Sequence, residues 1–416
     1  MPDQKNMLIA QSGGPSAVIN ASIAGAISRA MASEKIEHVF GAINGSEGLL
    51  QRKIINITDQ ISSQDDIDLL INTPSQALGT SRHKIPQGPE GDRLFEQILD
   101  ILHEYNIGYF FFNGGNDSMD TVSRLAQYLN DRNEDITAVG IPKTVDNDLM
   151  NTDHTPGFGS AAKFVAASIS ELYLDTIVYN KPYVVICEIM GRNAGWLTAA
   201  SSLARFTGVP APHLIYLPET VFDSDKFIAD VKERIASDTY PQVIIAVSEG
   251  IKTKEGTYLA ESGAALDSFG HVTLSGAAQV LETMIKDKLG SQVKTRSVQF
   301  STLQRSAAHL ASKTDLDEAF QCGSRAVAAA LHKSSGIMIS MERLSNFPYT
   351  IRYAETPLAE VANFEKKVPD SWITKGGTDV SAEMIEYLAP LIRGEACPRM
   401  KDGLPVYFRF DWSKLV

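Results

Sequence analysis

The chain has 416 residues, 44% of them hydrophobic, and a formal net charge of −12. That length supports two domains or one large α/β unit with a substantial core, and the acidic balance argues against nucleic acid as a partner. The three cysteines, Cys187, Cys322 and Cys397, have no metal-site spacing and no stretch is long enough to span a bilayer, so the chain reads as a soluble protein of a reducing cytoplasm, away from the membrane.

In chain order, residues 7–11 form a short apolar strand. Ser12, Gly13, Gly14 and Pro15 interrupt it before a helix from about 17 to 31. Strand, glycines and helix together make a candidate anion site, because glycine lets backbone N–H groups come close and the helix dipole favours negative charge. A strand at 38–43 follows. The segment 77–84, ALGTSRHK, has no helical period and ends basic. A helix over about 91–105 leads into the most informative stretch.

Residues 107–113 are an aromatic-rich strand broken by Gly114 and Gly115. Asn116, Asp117 and Ser118 are good N-caps for a helix whose apolar face is Met119, Val122, Leu125, Ala126 and Leu129. A second buried strand over 136–141 ends at Pro142. Lys143, Thr144, Asp146 and Asp148 follow at once. They supply a cation for a phosphate, a hydroxyl donor, and two carboxylates able to hold Mg²⁺ or accept a proton. Loops at the carboxyl ends of neighbouring parallel strands converge, so an anion site would face an acidic pair, as phosphoryl transfer requires.

Beyond this stretch the pattern predicts a long helix over about 160–178, a buried strand at 183–189 and the loop MGRNAGW. Strands at 213–217 and 243–247 flank a helix around 227–236, and Glu249 closes the second of them. Helices are expected over 276–289, 315–332 and 382–392, with strands within 343–365, a turn at 372–377 and an irregular tail over 398–410.

The segments NGGNDS and PKTVDND resemble the phosphofructokinase family, and within it the branch that uses pyrophosphate in place of ATP. ATP-using members typically carry GGDGS and PGTIDND. Here Asp117 stands for their second loop glycine and Lys143 for the glycine before Thr. The resemblance implies an α/β fold of two doubly wound, mainly parallel-sheet domains facing across a cleft. The donor domain would comprise 1–157 plus about 305–345, and the sugar-phosphate domain 158–304 plus about 346–416. It implies reversible phosphoryl transfer from pyrophosphate to the 1-hydroxyl of fructose 6-phosphate, with Mg²⁺ as cofactor and a homodimer or homotetramer as the assembly.

Carried over residue by residue, Asp146 is the expected base, and Lys143, Thr144 and Arg82 stabilise the transferred group. Gly14, Gly115, Asn116, Asp117 and Ser118 bind the donor. Asp117 is the expected metal ligand, because Asn116 occupies the place of the acid that binds metal in ATP users. Thr144, Asp146, Asp148, Met190, Gly191, Arg192, Glu249, Arg296, Thr302 and Arg305 bind the sugar phosphate, Arg296 from across a subunit interface. Asp117 and Lys143 set donor specificity by filling the path of a longer donor. Two positions depart from the family pattern: Tyr183 where relatives have an arginine shared between subunits, and Thr302 where they have His or Tyr. The alternatives are an ATP-dependent phosphofructokinase and, further off, a non-catalytic regulatory subunit or sugar-phosphate sensor.

Overall fold

The structure is a computed structural model that describes residues 4–81, 83–237, 240–260 and 276–416. The chain forms two compact units: Met1–Ser160 with Arg305–Glu365 and Arg393–Val416, and Ala161–Gln304 with Lys366–Ile392. The elements run β1 (Lys5–Gln11), α1 (Ile19–Met31), β2 (Ile36–Ala42), α2 (Gly45–Leu50), β3 (Ile54–Asn56), α3 (Gln64–Ile71), α4 (Pro89–Glu104), β4 (Ile107–Gly114), α5 (Asn116–Asp131) and β5 (Thr137–Pro142). After these come α6 (Phe158–Ile177), β6 (Tyr183–Ile189), α7 (Trp196–Ala199), β7 (Leu214–Tyr216), α8 (Ser224–Ser237), β8 (Gln242–Ser248), α9 (Ala277–Leu289), β9 (Lys294–Gln299) and α10 (Leu303–Ser306). The last large elements are α11 (Lys313–Leu331), β10 (Ile337–Asn346), β11 (Tyr349–Pro357) and α12 (Ala382–Leu388). No helix among the described residues is long and apolar enough to cross a membrane.

The first unit is built on a seven-stranded sheet of order β11-β10-β5-β4-β1-β2-β3. Its five inner strands are parallel, and β3 and β11 are antiparallel edges. Alternate residues of each inner strand feed opposite faces. Met7, Ile9, Tyr109, Phe111 and Ile141 pack with α1 and α11, whereas Leu8, Ala10, Phe110, Phe112 and Ala138 pack with α4 and α5. Helices on both faces make the sheet doubly wound, and burial on both faces explains why its strands read as continuous apolar runs. The second unit holds a four-stranded, fully parallel sheet of order β7-β8-β6-β9. Val184, Ile186, Val243 and Ile245 bury one of its faces against Phe227 and Val231 of α8 and Leu281 and Ile285 of α9.

The C-terminal part groups differently from the sequence expectation. Of 346–416, only Lys366–Ile392 clusters with the second unit. The reason is the hairpin of β10 and β11, paired from Ile337↔Pro357 to Asn346↔Tyr349, which keeps the chain on the first sheet. The extreme C-terminus also returns there: Leu415 bridges Ile55, and the Val416 N–H donates to the Ile54 carbonyl. One local expectation changes as well: the tail expected to be irregular includes a small hairpin of Met400–Lys401 with Leu404–Pro405. The segment around Arg296, for which no element was expected, is the edge strand β9.

Candidate active site

Three loops leave β1, β4 and β5 at the same level of the sheet. The pairings Gln11↔Asn113, Asn113↔Ile141 and Gly114↔Pro142 place their starting points side by side. Convergence at this edge follows from three neighbouring parallel strands ending in register.

The first loop is held by its carbonyls. Gly13 has φ +80°, and its carbonyl accepts from Gln76 Nε2 at 3.1 Å and Thr80 Oγ1 at 2.8 Å. The next carbonyl, Gly14, accepts from Lys143 Nζ at 2.6 Å. Arg305 joins them: its Nη1 lies 2.8 Å from where a Cβ on Gly14 would stand. Arg305 thus lies beside the Gly13–Gly14 turn of its own unit.

In the second loop, Gly114 has no room for a side chain, since a Cβ would meet Ser118 Oγ at 2.1 Å. The helix begins earlier than the caps in the sequence suggest. Gly115 is the N-cap, and Asn116, Asp117 and Ser118 form the first turn. The Asn116 side chain bonds the chain after β11: its Nδ2 donates to the Phe364 carbonyl at 2.5 Å and its Oδ1 accepts from the Asn363 N–H at 2.6 Å. Its side-chain amide therefore serves a segment distant in sequence. Asp117 pairs with Lys84 Nζ at 3.1 Å, both side chains partly exposed.

The third loop carries the acids. Lys143 is only 3% exposed, and its N–H donates to the Gly114 carbonyl, tying this loop to the second. Thr144 Oγ1 accepts from the Asp146 N–H at 3.1 Å, and the Thr144 hydroxyl also hydrogen-bonds the Asp148 carboxylate. Burial, then the neighbouring Asp146 charge, pushes the Asp148 carboxyl up to about 7, against the Thr144 bond, and Glu365 adds to the rise. Asp148 Oδ1 is buried without a hydrogen-bond partner. An unsatisfied carboxylate oxygen beside a second acid is costly in a finished core and expected where a ligand completes the site.

Residues the sequence reading missed support this loop from beneath. Thr155 Oγ1 donates to the Thr144 carbonyl at 2.8 Å, and Thr144 bridges Gly157. Asp315, buried in the first turn of α11, accepts from the Gly157 N–H at 2.9 Å and the Ser160 N–H at 2.8 Å. Ser312 caps α11 by accepting from the Asp315 N–H. The spacing Ser312-x-x-Asp315 before an apolar run is a legible capping signal, but it does not disclose which distant N–H groups the carboxylate takes.

In the second unit the loop after β6 packs against the loop after β8. The Gly191 N–H donates to Glu249 Oε1 at 3.3 Å, and its carbonyl accepts from Ser248 Oγ at 2.5 Å. Gly191 has φ +132°, and a Cβ on Gly250 would stand 1.8 Å from the Arg192 carbonyl, so both positions require glycine. The Met190 N–H donates to Gln304 Oε1, and Arg192 Nε is buried without a hydrogen-bond partner. Met190, Gly191, Arg192 and Glu249 are thus brought together. Arg296 is exposed on the edge strand β9, and Thr302 is exposed just before α10. Tyr183 is 2% exposed, with Lys294 Nζ 4.2 Å over its ring, so it is a core residue that cannot replace a shared arginine. Arg82 lies outside the described residues.

Among the described residues no group of three His, Cys, Asp or Glu side chains could hold a metal ion by itself. Mg²⁺ is commonly held by one or two carboxylates together with substrate phosphates, so the pertinent feature is the unpartnered Asp148 Oδ1.

Residues 6–330 match the family model described as Phosphofructokinase. The chain is 40% identical over 405 residues to the pyrophosphate–fructose 6-phosphate 1-phosphotransferase of Xanthomonas campestris pv. campestris (strain B100), covering 97% of this chain and 95% of that one. The enzyme of the same name from Halomonas elongata is also 40% identical, with the same coverage. The crystal structure of the pyrophosphate-dependent phosphofructokinase from Nitrosospira multiformis is similar at a TM-score of 0.87 and 38% identity, over 98% of this chain and 96% of that chain.

Proposed function

The chain belongs to the phosphofructokinase family, and from that premise we propose that it transfers a phosphoryl group from pyrophosphate to the 1-hydroxyl of fructose 6-phosphate, giving fructose 1,6-bisphosphate and phosphate. The observation that carries the donor assignment is the buried Lys143, whose ammonium is fastened to the Gly14 carbonyl between two glycine loops. A glycine at 143 would leave that space open. Lys143 fills it and brings a positive charge to the turn where a diphosphate would bind, and Asp117 adds a side chain at the first turn of α5.

In the proposed reaction the 1-hydroxyl oxygen attacks a phosphorus of pyrophosphate, its proton passes to the Asp146 carboxylate, and the bond to the leaving phosphate breaks. Thr144 orients the acidic pair through its bonds to Asp146 N–H and the Asp148 carboxylate. Lys143 and Arg82 offset charge on the transferred group. Mg²⁺ would neutralise donor phosphate charge, held by Asp148 Oδ1 and, where it parts from Lys84, by Asp117. Met190, Gly191, Arg192 and Glu249 would take the sugar phosphate, with Thr302 and Arg305. Arg296, exposed on an edge strand, would reach the sugar phosphate of a second copy, which makes the active form a homo-oligomer. Free thiols at Cys187, Cys322 and Cys397 agree with a reducing cytoplasm.

Initial rates with fructose 6-phosphate and either pyrophosphate or ATP test the reading. Pyrophosphate should support turnover with much the higher kcat/KM, and Asp117→Gly should shift the balance toward ATP. Equal efficiency with ATP in the unmodified protein would defeat the donor assignment.

A further inference from the structure

Residues 358–365 follow β11 and lie along the start of α5. Leu358 and Val361 are fully buried in the same core as Met119, and Asn151 Nδ2 donates to the Glu360 carbonyl. The segment then reaches the first turn of α5. Asn363 adopts φ +66°, a left-handed conformation that Asn tolerates. From there its N–H meets Asn116 Oδ1 at 2.6 Å, its own Nδ2 donates to Asp120 Oδ1 at 2.8 Å, and the Phe364 carbonyl accepts from Asn116 Nδ2 at 2.5 Å. One residue later, Glu365 is close enough to the acidic pair for its charge to act on Asp148. The segment therefore docks on the helix N-terminus through Asn363 and Phe364, and Phe364 is 54% exposed there.

The two bonds from Asn116 need an amide. A carboxylate at 116 accepts from the Asn363 N–H but has no proton for the Phe364 carbonyl. Asparagine at this position is thus explained as an anchor for a backbone 247 residues away, a role distinct from holding metal.

We infer that residues 358–365 form a donor-length gate: docked by Asn116 against the first turn of α5, they occupy the space that a nucleoside attached to the donor's second phosphate would need. The inference rests on the pyrophosphate reading above and adds to it. Asp117 and Lys143 act on the donor path from within the loops, whereas the gate closes it from the side with backbone and the Phe364 ring. Pyrophosphate ends short of it, so the gate excludes the longer donor and leaves the shorter one.

The experiment measures kcat/KM for pyrophosphate and for ATP in the unmodified protein, in Asn116→Ala, in Asn363→Gly and in the double variant, with thermal unfolding midpoints alongside. Asn116→Ala removes both anchoring bonds without adding charge. Asn363→Gly keeps the left-handed backbone and removes the Asp120 bond. The ratio of ATP to pyrophosphate efficiency should rise by about tenfold or more in Asn116→Ala and by less in Asn363→Gly, and the double variant should add little, since both act on one contact. A protein that prefers pyrophosphate, but whose ratio stays within about twofold in both single variants while its midpoint falls, overturns the gate alone and leaves a structural contact. An unmodified protein that uses ATP as well as pyrophosphate overturns the donor reading and the gate together.

Discussion

Replacing Lys143 by Met tests how the three loops act as one site. The side chain is 3% exposed, so the substitution nearly conserves buried volume and isolates the charge and its hydrogen bonding. Two losses follow. The Gly14 carbonyl loses a charged donor at 2.6 Å, an interaction of about 1.5–3 kcal/mol when made to an ionised group. A diphosphate bound at the Gly13–Gly14 turn loses a nearby positive charge, and removing one such group from a developing anion costs about 2.7–4 kcal/mol, or ~10²–10³ in rate. The first term acts on stability and loop geometry, the second on the transition state. Lys143→Met should therefore lower kcat/KM for pyrophosphate by ~10²–10³ while denaturant unfolding shows a loss of at most about 3 kcal/mol. Initial rates at varied pyrophosphate, paired with urea titration, separate the two. A variant that keeps kcat/KM within about threefold of the unmodified protein would show that the ammonium is only a brace between loops.

Asp146→Asn should reduce turnover at least ~10²-fold with little change in substrate binding, because the carboxylate is needed chiefly when the hydroxyl proton leaves; near-normal turnover would remove it from the mechanism. A pH effect on stability is expected from His154, which lies between Asp153 and Glu318 at 2.7 Å from each. Burial works against its charged form, but the Glu318 charge and the bonds to Asp153 and Glu318 prevail and raise the imidazole to about 9 from 6.5. The stabilisation from a raised pKa is complete below about 6.5 and is lost as pH rises through about 9, so the melting midpoint should fall between about pH 7 and pH 10. His154→Gln should flatten that fall; an unchanged slope would place its cause elsewhere.

Local pattern accounts for what was legible without a structure. Each strand, glycine break and helix start in 107–148 depends on backbone preferences and burial within a few residues, and β4, α5 and β5 appear within a few residues of the expected bounds. The identities of Asp117, Lys143, Asp146 and Asp148 are likewise legible as ionisable groups, although the burial that pushes Asp148 up to about 7 comes from the fold. Convergence of the loops was predictable because neighbouring parallel strands leave little choice.

Tertiary structure decided the pairings over long separations. Asn116 reads as a helix cap, yet its amide is used by Asn363 and Phe364 because β11 returns the chain along α5. Asp315 reads as a first-turn acid, yet both its oxygens hold N–H groups at 157 and 160 behind the acidic loop. Arg305 stands beside Gly14, and the C-terminus is fastened to β3. A polar side chain in sequence announces only that it needs a partner. Which partner it meets depends on strand order and on which chain segments the fold returns to the same sheet, and local residue pattern holds no record of either.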